Sequence, residues 1–109
     1  MSQNTVSLVV NTVPLLVIVG WDRPLQQLFC SVDPQTDDDA ELDKLPDDFF
    51  ALSLQQFGSA ADIQEALLPL GVQLPAALLA SVDGDMRDNK GNVIRRYSPE
   101  GALLSSFGE

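Results

Sequence analysis

The side chains that could do chemistry in this chain of 109 residues are mainly 16 carboxylates and one thiol, because histidine is absent. The lack of histidine excludes a Ser-His-Asp triad, a Cys-His pair and any zinc site built on imidazole. The single Cys30 cannot form a disulfide within the chain, and its place in a strand-like stretch favours a core residue over a nucleophile. Chemistry would therefore fall to the carboxylates or to a cation that they bind.

Two pairs of carboxylates have a spacing that acid-base catalysis can use, namely Asp47 with Asp48 and Asp83 with Asp85. Such pairs are plentiful in an acidic sequence, and neither lies in an evident aromatic setting for a sugar. The chain also has no glycine-rich phosphate loop and no Gly-x-Gly-x-x-Gly fingerprint. We therefore expect no catalysis and no cofactor, and an enzyme that depends on carboxylates or a divalent cation is the third hypothesis.

The stretch that begins at Asp83 is superficially similar to a calcium-binding loop. In that register Arg87 occupies a ligand position and Asp88 replaces the required glycine. Ile94 stands where the bidentate glutamate should be. The match fails, so we expect no metal site at this position.

Residues 33–48, which we call the acidic segment, contain eight Asp and Glu residues against Lys44 alone. Pro34 and Pro46 lie close to its two ends. A segment of this composition cannot bury enough apolar surface to offset the entropy of the chain. It therefore predicts an exposed, mobile loop.

Three hypotheses account for the acidic segment. As a cation site it lacks the fixed spacing and the turn glycine of an EF-hand loop. As a nucleic-acid mimic it would place its carboxylates in the basic groove of a DNA- or RNA-binding protein, as anti-restriction or anti-CRISPR inhibitors do. As a solvated loop it needs no partner. The candidate protein-binding residues of this segment are Asp37, Asp38, Asp39 and Glu41.

The formal net charge of −10 bears on partners and location. It repels phosphate backbones and anionic lipids, so it disfavours direct nucleic-acid or membrane binding and favours a protein with a basic surface. The apolar stretch at residues 6–21 is interrupted by Pro14 and is too short to span a membrane. Residues 1–5 carry no Lys or Arg, which a secretory signal requires. We expect a cytoplasmic protein.

Gly20-Trp21-Asp22-Arg23-Pro24-Leu25 is the most distinctive local pattern of the sequence. With Phe29 downstream and two short helices, it resembles short uncharacterised bacterial proteins that carry a Gly-aromatic-Asp-Arg-Pro-Leu hairpin. The resemblance covers residues 15–86 and implies no function. Trp21 and Arg23, two residues apart on a hairpin, are further candidate protein-binding residues, because both types are enriched at binding hot spots. The alternative is that Trp21 covers the core while Asp22 and Arg23 fix the turn.

Hydrophobic patterning predicts the elements that would position these residues. Strands are expected at 6–10, 15–19, 25–32 and 49–54, with the second covered on both faces and the third nearer an edge. One amphipathic helix is expected after Ser59, and another from Pro75 to about Met86. Residues 93–97 and 102–104 look extended around a turn, although 98–109 is alternatively a loose tail.

Together these patterns predict one domain over residues 1–109 with an α+β fold. We expect a small antiparallel sheet of three to four strands packed by two short amphipathic helices. The leading functional hypothesis is a small acidic, non-catalytic protein-binding or regulatory protein. The nucleic-acid mimic is the alternative.

Overall fold

The computed structural model describes residues 1–43 and 56–108, and it begins with a hairpin. Strand β1 (Ser2–Val10) pairs antiparallel with β2 (Val13–Asp22), and Val10 stands opposite Val13. The turn between them therefore contains only Asn11 and Thr12, which both have positive φ angles. Two residues with positive φ match the right-handed twist of paired strands, which explains so tight a connection.

Strand β3 (Gln27–Pro34) pairs antiparallel with β2 and forms one edge of the sheet, so the predicted second hairpin and its edge position are confirmed. The turn is closed locally, because a side-chain oxygen of Asp22 accepts a hydrogen bond from the Leu25 amide at 3.3 Å. Aspartate at the start of a turn commonly makes this contact.

Three α-helices follow in the described residues: a single turn, α1 (Asp39–Leu42), then α2 (Ala60–Leu67) and α3 (Ala76–Arg87). A 3-10 helix, Leu68–Leu70, directly follows α2. Ser59 caps α2, since its hydroxyl oxygen accepts a hydrogen bond from the Asp62 amide at 3.2 Å. Pro75 precedes α3 directly. The two predicted amphipathic helices are confirmed. The acidic segment differs from the predicted loop, because it begins inside β3 and includes the helical turn α1.

The last two strands correct the predicted sheet. Strand β4 (Val93–Tyr97) pairs parallel with β1, and β5 (Leu103–Gly108) pairs antiparallel with β4. The described sheet therefore has five strands in the order β3-β2-β1-β4-β5 and is mixed, whereas three to four antiparallel strands were predicted. The prediction was wrong because the chain crosses from one edge of the sheet to the far side of β1, and such a crossover returns a strand in the parallel direction.

The end of the chain takes the strand alternative rather than the loose tail, since residues 103–108 pair with β4. The strand predicted at 49–54 lies outside the described residues. The α+β class is confirmed.

The core lies between the helices and one face of the sheet. On β2 every second side chain is fully buried, from Val13 to Val19, while Leu16 and Ile18 between them are only partly buried. The prediction that β2 is covered on both faces was therefore wrong. Helix α3 packs against β1 and β2. Side chains of both α2 and α3 join the same buried cluster as Val13 to Val19, so Leu16 and Ile18 lie on the face away from that cluster. The helical side chains that complete the core include Ile63, Leu67, Leu78 and Val82.

Candidate functional site

The acidic segment leaves the sheet at the end of edge strand β3. Asp33, Asp37, Asp38 and Asp39 are all exposed. The chain is organised locally by hydrogen bonds: the Asp38 amide donates to the hydroxyl of Thr36 at 3.2 Å, and an Asp38 carboxylate oxygen accepts from the Ala40 amide at 2.9 Å. These contacts fix the backbone at the start of α1 and leave the carboxylates facing water.

The exposed carboxylates of the acidic segment have no cationic partner among the residues that the structure describes. The ion pairs found there are Arg87 with Asp88 and Arg95 with Asp85, both remote in sequence from the segment. Asp33 accepts a hydrogen bond at 3.4 Å from the side-chain amide of Gln35, which is a neutral donor. Exposed charges of one sign at a single edge produce a directed negative field.

Glu41 lies in α1 by its backbone, so it shares the helical turn with Asp39. Asp37 and Asp38 directly precede this turn in the chain. Trp21 and Arg23 are elsewhere, at the turn between β2 and β3.

Trp21 is a core residue, with only 6% of its surface exposed. Its indole nitrogen donates a hydrogen bond to the side-chain oxygen of Asn89 at 3.0 Å, and Gln26 donates to the same oxygen at 2.7 Å. The backbone amide of Trp21 donates a hydrogen bond to the hydroxyl of Ser2 at 3.0 Å. Burial removes the exposed indole that a binding hot spot needs, whereas Arg23 is exposed. The structure therefore does not place Trp21 and Arg23 together on one open surface.

A buried polar cluster, formed by Asn4, Asp85 and Arg95, was missed by the sequence analysis. Asp85 is 2% exposed, and one terminal nitrogen of Arg95 donates to both of its oxygens, at 3.0 and 2.8 Å. The Asn4 amide nitrogen donates to Asp85 at 3.0 Å, and the Asn4 oxygen accepts from Arg95 at 3.2 Å. Both carboxylate oxygens are thus occupied, so the cluster holds α3 on β1 and β4 rather than offering a free acid or base.

The only local signal for this cluster was the alternation of the strands, which places Asn4 and Arg95 on the inward side of β1 and β4. The two residues stand opposite each other in the parallel register. Because that register joins residues 91 positions apart, periodicity within either segment does not reveal it.

The carboxylates proposed for acid-base work have separate structural roles. An oxygen of exposed Asp83 accepts a hydrogen bond from the Ala60 amide at 2.9 Å, at the start of α2, whereas Asp85 belongs to the buried cluster. Asp47 and Asp48 lie outside the described residues. Within residues 1–43 and 56–108, no three Cys, Asp or Glu side chains are grouped so that they could hold a metal ion.

Cys30 is 1% exposed on the inward side of β3. Desolvation by burial raises the pKa of its thiol from 9.0 to about 12. Because the thiolate is the nucleophilic form, this thiol is inert at neutral pH. It is one of the packed side chains of the core.

Comparison of the chain with protein-family models, with curated proteins and with solved structures gives no match. The resemblance based on the Gly20–Leu25 hairpin stays a prediction. No helix in the described part of the chain is both long and apolar enough to cross a membrane.

Proposed function

We propose that this protein is a non-catalytic binding protein that presents the acidic segment to a protein with a basic surface. The observation that supports the proposal is the set of exposed carboxylates Asp33, Asp37, Asp38 and Asp39, for which the described residues provide no cationic partner. Asp83 and Asp85, by contrast, have contacts within the fold.

Electrostatics explains why a basic protein suits this surface. Adjacent carboxylates repel one another, and a cationic partner relieves that repulsion while the negative field accelerates its approach. A nucleic acid or an anionic membrane would add to the repulsion instead. The narrower alternative is that the partner's basic surface normally binds DNA or RNA, so that this protein acts as a mimic.

The test compares two variants that each remove three negative charges. One is Asp37→Asn with Asp38→Asn and Asp39→Asn, in the acidic segment. The matched control is Asp62→Asn with Glu65→Gln and Glu100→Gln, which are exposed residues elsewhere. Immobilised wild-type protein and both variants are incubated with extract of the source organism, and the proteins retained are identified by mass spectrometry.

We expect a basic protein that the wild type and the control retain and that the acidic-segment variant loses. Titration of the purified partner should show an affinity about tenfold lower for that variant, since exposed ion pairs contribute roughly 0.2–1 kcal/mol each. Affinity should also fall steeply with added salt. Equal retention by the two variants would refute the proposal, as would the absence of any protein that the wild type retains and the acidic-segment variant loses. Competition by double-stranded DNA for the partner would favour the mimic.

A further inference from the structure

We draw no further inference here: the strongest candidate, the surface patch at the end of the described sheet where Ile94 on β4 and Phe107 on β5 are exposed side by side, carries none because nothing in the structure shows what covers it.

Discussion

The two edge strands of the described sheet differ in their charge and in the exposure of their apolar side chains. Edge strand β3 ends with Asp33 and Pro34, the first two residues of the acidic segment. Leu28 on this strand forms an isolated β-bridge with Phe57. Edge strand β5 has no charge, no proline and three exposed apolar side chains. Charge at the β3 edge opposes pairing with another acidic chain, whereas residues 103–108 carry no charge that would oppose it. The two edges therefore present different surfaces, a strongly acidic one at β3 and an uncharged, apolar one at β5.

The largest expected effect comes from breaking the attachment of the β5 edge. Strand β5 joins the sheet through β4, and the buried cluster of Asn4, Asp85 and Arg95 fastens β4 to β1 and α3. Asp85→Ala should lower the free energy of unfolding by about 3–5 kcal/mol, because it leaves the Arg95 charge without its partner. Urea denaturation measures the loss, and amide exchange should show more opening in β4 and β5 than in β3.

The control for that experiment is Asp88→Ala, which removes an exposed carboxylate paired with Arg87 and should change stability by no more than about 0.5 kcal/mol. Combining Asp85→Leu with Arg95→Met should restore most of the loss, since it removes both charges. Equal losses in the Asp85 and Asp88 variants would contradict a structural role for the cluster.

A smaller effect is expected at high pH, where Cys30 on β3 should lower the free energy of unfolding. Folding raises the pKa of the Cys30 thiol on β3 from 9.0 to about 12. Below pH 9 both states keep the proton, so this group does not alter stability. Between pH 9 and 12 the unfolded chain loses the proton first, and the free energy of unfolding should fall by about 1.4 kcal/mol per pH unit.

The measurement is the difference between wild type and Cys30→Ala in denaturation experiments across that pH range, since other groups titrate in both proteins. The difference should narrow steadily above pH 9. A constant difference would show that the thiol is not desolvated and that β3 packs less closely on the core than its 1% exposure indicates.

The smallest expected effect concerns the charge of the acidic segment. Neutralising Asp37, Asp38 and Asp39 should raise the free energy of unfolding by about 0.5 kcal/mol or less at low salt, because it removes repulsion between exposed like charges. Salt of about 1 M should abolish the gain. Neutralising Asp62, Glu65 and Glu100 should give no gain, since Asp62 lies in the first turn of α2 and favours the helix. Thermal denaturation at two salt concentrations measures both.

The local elements were largely predictable from the sequence, for identifiable reasons. Apolar runs bounded by turn residues predicted strands on either side of Asn11 and a hairpin around Asp22, and Ser59 and Pro75 marked where the two helices begin. Exposure of Asp37 to Asp39 followed from their charge. Trp21 could not be assigned from the sequence, because a tryptophan fits a binding hot spot and a core position equally well. The structure places it in the core, with 6% of its surface exposed.

The sequence by itself determined the α+β class and the order of the local elements, because these depend on the periodicity and turn chemistry of neighbouring residues. It also determined the strong negative charge of the acidic segment, which follows from composition alone. The tertiary structure decided the parallel pairing of β1 with β4, the position of β5 at the end of the described sheet and the burial of Asp85 against Arg95 and Asn4. Asn4 lies 81 positions from Asp85 and 91 from Arg95, so their meeting depends on how the whole chain crosses the sheet. No local pattern encodes that path.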